Sequence, residues 1–309
     1  MTYKKILLIV PPFYRLLGSK NDWIHLGLHS IGANLHKHGY PVKIYNTDAD
    51  PSIKERDYGI FFKEDIKETL TNSPIWQEIS NNIKAYNPDI VGITMSSVTE
   101  TMTYKIAEIV KQINPSIPVI VGGPQATLRP DKVILNKNID CVVQGEGEET
   151  FLKLIQESNK ELIGGITWKN GDAIITNPNS KFIENLDSFP FPNFKLELIP
   201  VDPKKNFIVM QTARGCVFNC SFCSSPKIWG NKVRTRSINS VIEEITYRKN
   251  TYDVSHLYFS DDTFNINTQR LRKLCNEIIT KKLDITFTCE GRLNLIDKST
   301  LELMKKAGC

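Results

Sequence analysis

The chain has 309 residues, which suits two domains, each large enough for its own hydrophobic core. Apolar residues make up 40% and charged residues 24% of the chain, an ordinary balance that excludes a disordered protein. The net charge of +5 is spread along the sequence without a Lys/Arg block, so nucleic-acid binding is not indicated.

Targeting and membrane signals are missing from the sequence. No stretch approaches the roughly 20 apolar residues that span a bilayer. The apolar run near the start is short and is followed by Pro11-Pro12 instead of a signal-cleavage site. Seven cysteines, an odd number without a secretory signal, argue against a disulfide framework. We therefore expect a cytoplasmic protein with no membrane span.

The first half of the chain alternates short β-rich runs with helical patterns, which predicts parallel strands joined by crossover helices. The predicted strands are Lys4–Val10, Val42–Asn46, Ile90–Met95, Val119–Val121 and Asp140–Val143. The predicted helices are Leu26–His38, Ile75–Tyr86, Thr101–Ile113, Pro130–Asn136 and Glu148–Glu157. This is an α/β pattern typical of a doubly wound, Rossmann-like sheet of about five strands, with a ligand at the strands' carboxyl ends. A polar insertion, Asp48–Ser73, has a helical pattern around Lys63–Leu70 and no assignable role.

The middle of the chain predicts a hairpin and a linker. Asn170-Gly171 stands between two β-rich runs, Gly165–Trp168 and Ala173–Thr176, and is a strong hairpin signal. Two prolines in the aromatic-rich stretch Asp187–Asn193 predict an extended linker. We accordingly divide the chain into a first domain over 1–160, the hairpin and linker over 161–205, and a second domain over 206–309.

A second β/α series fills the rest of the chain. Its predicted strands are Phe207–Gln211, His256–Ser260 and Ile285–Cys289, and its predicted helices are Asn239–Arg248, Thr268–Lys281 and Lys298–Lys306. Three parallel strands leave an open edge and make a poor independent domain. We therefore expect a barrel that this chain does not complete, and a fragment of a longer protein.

Three closely spaced cysteines follow the first strand of this second series. Cys216, Cys220 and Cys223 are separated by steps of four and three residues, and a loop after a barrel strand is where catalytic groups gather. Three thiolates suit a four-iron cluster that keeps its fourth iron open. The alternatives are structural zinc, which needs a fourth ligand whose nearest candidates beyond Cys223 are the distant His256 and Cys275, and three core cysteines.

Four histidines mark the first predicted helix. His25, His29 and His36 share a face at spacings of four and seven residues, and His38 follows them. A metal site is one interpretation. An amphipathic helix edge is favoured, because no Cys or acidic partner stands nearby in the sequence.

The pattern Cys-x3-Cys-x-Phe-Cys, with Phe222 beside the last cysteine, resembles the signature of the radical S-adenosylmethionine superfamily. The resemblance implies a [4Fe-4S] cluster whose open iron chelates S-adenosylmethionine. One electron then breaks a carbon–sulfur bond and yields a 5′-deoxyadenosyl radical, while the protein orients the cofactor and excludes water. It also implies an electron donor such as flavodoxin or ferredoxin.

Charged residues after the next two predicted strands resemble the family's contacts to S-adenosylmethionine. Asp261 and Asp262 match the acidic segment that meets its amino group, although Asp is also a common helix N-cap. Glu290 and Arg292 match residues that bind its ribose or carboxylate, although a surface salt bridge is an equal alternative. The stretch from Trp229-Gly230 to Arg234-x-Arg236-Ser237 resembles one that is common in the cobalamin-containing branch of the superfamily. Ser237 or Asn239 is a candidate cap of the helix that follows.

Three turns of the first half fit that branch as well. They follow the third, fourth and fifth predicted strands, where glycine lets the backbone approach a large ligand. In order and spacing they resemble the cobalamin-binding domain fused ahead of many radical S-adenosylmethionine enzymes. The residues that the resemblance assigns to cobalamin are Ser96, Ser97, Thr99, Gly122, Gly123, Gln125, Gly145 and Gly147. The Asp-x-His-x-x-Gly cobalt-ligand motif is absent and Gln125 stands where relatives usually carry His, so cobalamin is expected to bind without a histidine ligand.

These resemblances predict a cobalamin-dependent radical enzyme that transfers a methyl group to an unactivated carbon of a small-molecule or lipid substrate. A radical cyclisation or rearrangement with the same cofactors is one alternative. A cobalamin- or cluster-binding sensor without turnover is another. The methylthiotransferase branch is disfavoured, because its first domain carries three further cysteines and this half contains only Cys141.

Overall fold

A computed structural model describes residues 5–21, 23–57, 59, 70–200, 202 and 208–309. The chain divides into two compact units. Unit 1 comprises residues 1–182 and 192–200, and unit 2 comprises residues 183–191 and 201–309. The predicted extended linker, Asp187–Asn193, is thus divided between the units, and short 3-10 turns lie at its two ends, Leu186–Ser188 and Phe194–Leu196. The predicted helix around Lys63–Leu70 lies almost wholly outside the described residues.

Unit 1 is built on a sheet whose first five strands are parallel, which confirms the predicted doubly wound fold. The strands are β1 (Ile6–Val10), β2 (Val42–Asn46), β3 (Ile90–Thr94), β4 (Val119–Gly122) and β5 (Cys141–Val143). Their spatial order is β2-β1-β3-β4-β5. The order reverses between β1 and β3, and in such folds the ligand crevice lies outside the strands' carboxyl ends at that point.

The predicted hairpin extends this sheet, whereas the sequence assigned it to a separate connecting region. Strands β6 (Ile166–Asn170) and β7 (Ala173–Thr176) add antiparallel to β5 and make seven strands in all. Ile166 and Trp168 are buried against the sheet, while β7 is largely exposed. The hairpin covers the edge of β5, which would otherwise leave its backbone groups unpaired.

Helices cover both faces of the unit 1 sheet. They are α1 (Leu26–Lys37), α2 (Ile75–Tyr86), α3 (Glu100–Ile113), α4 (Pro124–Leu128), α5 (Pro130–Val133) and α6 (Gly147–Gln156). Side chains alternate along β1, so Leu7 and Ile9 join one core and Ile6 and Leu8 join the other. The helix predicted over Pro130–Asn136 ends earlier, at Val133, and the unpredicted short helix Pro124–Leu128 precedes it. The two are separated at Arg129, because a residue before proline is disfavoured in helical conformation.

Unit 2 contains the predicted second β/α series. Strands β8 (Val209–Met210), β11 (His256–Phe259) and β12 (Thr286–Cys289) form a parallel sheet with β11 in the centre, and β9 (Ala213–Arg214) pairs antiparallel with β10 (Arg234–Thr235). The helices are α7 (Ser225–Trp229), α8 (Ile238–Tyr252), α9 (Thr268–Thr280) and α10 (Lys298–Lys306). Within the part of the chain that the structure describes, no helix is long and apolar enough to cross a membrane.

Candidate functional site

The three predicted cluster cysteines lie on the loop that follows β8 and β9. Gly215 opens this loop with a φ of +93°, and a Cβ at this position would stand 2.4 Å from the carbonyl oxygen of Lys232. Only glycine fits such a turn, because it combines a left-handed backbone with a close neighbour. A second turn brings the amide of Cys223 to the carbonyl of Cys220 at 3.0 Å. Local backbone geometry therefore folds the loop on itself.

The three thiols of the loop have different surroundings. Cys216 is buried and its Sγ lies 3.5 Å from Oγ1 of Thr263, Cys220 is partly buried, and Cys223 is exposed. No three Cys, His, Asp or Glu side chains of the described ranges are grouped to hold one metal ion. Structural zinc needs such a single-ion site, whereas each cysteine of a four-iron cluster binds its own iron. Convergence of the three sulfurs on a cluster stays a prediction.

Arg292, a predicted S-adenosylmethionine contact, touches the cluster loop directly. Its guanidinium lies 4.0 Å from the ring centre of Phe218 and donates to Sγ of Cys220 at 3.5 Å. The backbone of Arg292 is held by buried Asn265, which accepts from its N–H at 2.9 Å and donates to its carbonyl at 2.7 Å. Sequence reasoning missed Asn265, because an Asn after a strand is an ordinary loop residue until its partner is known.

The two consecutive acids after β11 have opposite surroundings. The carboxylate of Asp261 is buried and accepts from both the N–H and the hydroxyl of Thr212. Burial raises the pKa of Asp261, and these hydrogen bonds oppose that rise. Asp262 is exposed. The structure therefore leaves Asp262 as the acid of the pair that faces solvent.

Glu290 directly follows β12, so it lies at the carboxyl end of the same strand as Arg292. Its Oε1 accepts from the hydroxyl of Tyr258 at 2.5 Å, and its carbonyl accepts from the amide of Phe264 at 2.9 Å. Burial, together with the Glu290 carboxylate, raises the pKa of Tyr258 to about 12. Glu290, Arg292 and the cluster loop thus gather at the carboxyl ends of β8, β11 and β12, where (β/α) barrels place catalytic groups.

The Arg-x-Arg-Ser stretch has structural partners within unit 2. Arg234 is buried and donates to the carbonyl of Ile183 at 2.8 Å, and Arg236 pairs with Glu244. The hydroxyl of Ser237 accepts from the amide of Ser240 at 3.1 Å, which confirms one of the two predicted caps of α8.

In unit 1, the structure brings the turns after β3 and β4 together. The amide of Met95 donates to the carbonyl of Gly122 at 2.7 Å, and the amide of Gln125 donates to the carbonyl of Met95 at 3.1 Å. Gly123, with a φ of +98°, leaves no room for a Cβ, which would lie 2.8 Å from Oγ1 of Thr94. The predicted cobalamin residues of these turns therefore share one edge of the sheet.

The other predicted cobalamin positions continue this edge. Ser96 and Thr99 form a reciprocal capping box, and Ser97 lies between them. The amide of Gly145 donates to Oγ1 of Thr127 at 3.0 Å, and Gly147 begins α6. Among the described residues, and apart from the two chain neighbours of Gly145, no atom lies within 4 Å of the space that a Cβ on Gly145 would occupy. A large planar ligand could therefore approach the backbone there.

The histidines of α1 do not share one environment, so the favoured prediction of an amphipathic edge holds only in part: His36 and His38 are exposed, whereas His29 is not. His29 is fully buried and its Nε2 lies 3.0 Å from Oε1 of Glu197. This partner is distant in sequence, so no local pattern could reveal it. His25 is the N-cap: its Nδ1 accepts from the amide of Leu28 at 3.3 Å, which leaves the ring proton on Nε2 to face Oγ1 of Thr94 at 3.3 Å.

No free imidazole therefore stands among these edge residues. Both ring nitrogens of His25 are engaged, and Nε2 of Gln125 donates to Glu100 at 2.9 Å. This arrangement fits a cobalamin bound without a histidine ligand from these positions. Sequence reasoning gave Glu100 no role, although it is the last residue of the predicted turn Met95–Glu100.

Comparison with known proteins adds independent information. The family model of the B12 binding domain matches residues 16–155, and that of the radical SAM superfamily matches residues 210–309. An uncharacterised methyltransferase of Pyrococcus horikoshii is 34% identical over 322 residues, covering 100% of this chain and 64% of the relative. An anaerobic magnesium-protoporphyrin IX monomethyl ester cyclase of Rubrivivax gelatinosus is 28% identical over 256 residues, covering 78% of this chain and 46% of the relative.

A solved structure agrees with the observed fold. The radical S-adenosylmethionine methyltransferase TsrM of Kitasatospora setae, with cobalamin and a [4Fe-4S] cluster bound, superimposes with a TM-score of 0.72 at 16% identity, covering 100% of this chain and 60% of TsrM. The chain spans about half to two thirds of the length of the relatives it matches. It belongs to the radical SAM superfamily, in the branch whose radical SAM domain follows a B12 binding domain.

Proposed function

We propose that this chain is part of a cobalamin-dependent radical enzyme that transfers a methyl group to an unactivated carbon. The observation that carries the proposal is the cluster loop with Arg292 on it, at the carboxyl ends of β8, β11 and β12. When bound, the [4Fe-4S] cluster supplies the electron that cleaves S-adenosylmethionine, and cobalamin supplies the methyl group. The similarity to a curated methyltransferase along the whole chain supports this reaction over others.

In unit 2, Cys216, Cys220 and Cys223 would hold the cluster. Asp262 is exposed beside the loop and would accept from the ammonium of S-adenosylmethionine. Glu290 would accept from the ribose hydroxyls, and the fork of Arg292 suits the carboxylate. Arg292 would then exchange its bond to Cys220 for one to the ligand, with Asn265 keeping its backbone in place.

In unit 1, the turns around Ser96–Thr99, Gly122–Gln125 and Gly145–Gly147 would form the cobalamin edge. Their role is to offer backbone amides and small side chains to a large ligand, because bulky groups are excluded there by the packing of Gly123. The proposal also requires a one-electron donor such as flavodoxin or ferredoxin. The exposed Cys223 suits a reducing cytoplasm.

Anaerobic reconstitution of the full-length natural protein tests the proposal. We expect about one cobalamin per chain, a [4Fe-4S] absorbance band, and 5′-deoxyadenosine from S-adenosylmethionine. The Cys216→Ala, Cys220→Ala, Cys223→Ala triple variant should lose the cluster and this product. Cys275→Ser, on α9 outside the loop, is the matched control and should keep both. A reconstituted cluster without 5′-deoxyadenosine would contradict the proposal.

Radical cyclisation is a second candidate, favoured by the 28% identity to an anaerobic cyclase. The two reactions differ in what happens to the methyl group. With methyl-labelled S-adenosylmethionine, a methyltransferase yields S-adenosylhomocysteine and labelled product, whereas a cyclase yields 5′-deoxyadenosine without either.

A further inference from the structure

Thr212 is a fully buried residue four positions before the first cluster cysteine, Cys216. Each of its polar atoms is used. The N–H donates to Oδ1 of Asp261 at 2.6 Å and the hydroxyl to Oδ2 at 2.5 Å. The carbonyl accepts from the amide of Arg236 at 2.9 Å and from Nη2 of Arg270 at 3.3 Å, and Nη1 of Arg270 also reaches the hydroxyl at 3.2 Å. Hydrogen bonds to Asp261, Arg236 and Arg270 therefore fix the position of Thr212.

The acidic partner of Thr212 comes from the segment that follows β11. Asp261 is 3% exposed and gives both carboxylate oxygens to Thr212. Thr263, two residues on, places its Oγ1 3.5 Å from Sγ of Cys216. One short segment thus contacts both the beginning of the cluster loop and its first cysteine.

We propose that Asp261 is a positioning residue for the cluster loop, and that Asp262 is the acid of the pair that meets S-adenosylmethionine. The proposal rests on the cluster function proposed above. It refines the assignment by sequence, which gave both acids the same task. Asp261 holds Thr212, and thereby the entry of the chain into the loop, before any cofactor binds.

Burial and charge support this division of roles. An acid that receives the ammonium group of a ligand needs an oxygen that faces the ligand, and both oxygens of Asp261 face Thr212. The cation of Arg270 donates to the hydroxyl and the carbonyl of Thr212, and its charge compensates the buried carboxylate of Asp261. Asp262 is exposed, so its carboxylate can face a ligand.

Alkylation of the metal-free chain tests the proposal without any cofactor. Cys216 is 8% exposed, so its reaction with iodoacetamide, followed by mass spectrometry, reports opening of the loop. Asp261→Asn should speed labelling of Cys216 by about tenfold or more, because hydrogen bonds to a charged group are among the strongest. Asp262→Asn is the matched control and should stay within about twofold of the wild type.

Cys275 serves as an internal reference, because it is 1% exposed on α9 of the same unit. If Asp261→Asn speeds the labelling of Cys275 as much as that of Cys216, the residue stabilises the whole unit and the proposal is overturned. Thr212→Ser keeps the hydroxyl and should preserve slow labelling, whereas Thr212→Val should not. The double variant Asp261→Asn, Thr212→Val should exceed the single variants little, because both remove one interaction.

Reconstitution then separates this inference from the proposed function. Asp261→Asn should lower the iron content per chain several-fold, while Asp262→Asn should keep the iron and weaken S-adenosylmethionine binding in equilibrium dialysis. Normal iron and normal loop protection in Asp261→Asn, with loss of S-adenosylmethionine binding, would overturn the division of roles. If the wild type itself takes up no cluster, the proposed function fails, while the alkylation result still judges the role of Asp261.

Discussion

His25 stands immediately before α1, and its surroundings keep the imidazole neutral. Burial, with a smaller contribution from neighbouring His29, lowers the pKa of His25 to about 4. Nδ1 accepts from an amide of the first helical turn, so the cap itself requires the unprotonated ring. Protonation would convert that acceptor into a donor facing another donor.

We expect this depressed pKa to make stability depend on pH. Between about pH 6.5 and 4 the unfolded state binds a proton at His25 that the folded state does not, so stability falls as pH falls through that window. His25→Asn keeps a side-chain cap but cannot titrate there. The difference in unfolding free energy between wild type and variant should shift by no more than about 3.4 kcal/mol across the window, at about 1.36 kcal/mol per pKa unit. Urea denaturation at several pH values measures it, and a difference that does not change with pH would contradict it.

Cys309 provides a second titration that the sequence does not reveal. A hydrogen bond with the thiol of Cys289 lowers the pKa of Cys309 to about 7 and raises that of Cys289. The pH profile of iodoacetamide labelling at Cys309 should therefore have its midpoint near 7. Cys289→Ala removes the donor and should move the midpoint above 8.5, the ordinary value for a thiol. Cys141, whose pKa burial raises to about 12, should stay unlabelled in both proteins.

The candidate residues show which part of a site a sequence can reveal. Strand ends and spacing correctly brought the cluster loop and Arg292 to one edge of unit 2, because carboxyl ends of parallel strands meet there. The same pattern could not divide the tasks of Asp261 and Asp262. That division depends on Thr212, whose backbone is 49 positions away and whose packing no local period encodes.

At the level of elements, α8 carries a buried ion cluster. Glu244 accepts from Arg248, one turn along the helix, and from Arg236, and all three side chains are largely buried. The two arginines lower the pKa of Glu244 although burial opposes them. Such a cluster is held by mutual compensation, so the loss of one partner leaves the others desolvated.

Glu244→Ala should therefore destabilise unit 2 by roughly 3–5 kcal/mol, because it removes the buried anion that Arg236 and Arg248 share. Thermal or urea unfolding measures this loss. Glu277→Ala, in the exposed pair with Lys281 on α9, is the matched control and should change stability by less than about 0.5 kcal/mol. Equal losses of stability in the two variants would show that the buried ion cluster stabilises unit 2 no more than an exposed ion pair does.

Helices and parallel strands were predicted well, because the spacing of apolar residues along the sequence directly indicates them. Ile75–Tyr86 and Lys298–Lys306 have the predicted bounds, and most other elements begin and end within a few residues of them. The hairpin was recognised from Asn170-Gly171, but its place in the sheet was not. Pairing with β5 depends on which edge is left open, and a hairpin sequence contains no information on that edge.

At the scale of the whole chain, unit 1 is not a continuous segment. Residues 192–200 return to it after 183–191 have joined unit 2. In this return segment Phe194 and Leu196 are buried, the amide of Leu198 donates to the carbonyl of Ile44 at 2.6 Å, and Glu197 pairs with His29. The segment thus completes the core beneath α1 and β2, although the sequence assigns it to a linker.

A fragment that ends at residue 182 should therefore be much less stable than one that ends at 200. Loss of two large buried side chains, and of the partner of buried His29, should cost on the order of 5 kcal/mol. Thermal unfolding of the two fragments measures the difference. Within the longer fragment, the Phe194→Ala, Leu196→Ala variant should reproduce most of the loss, whereas Lys195→Ala, an exposed position between them, should not. Equal stability of the two fragments would mean that unit 1 ends at the hairpin and that the return segment only lies on its surface.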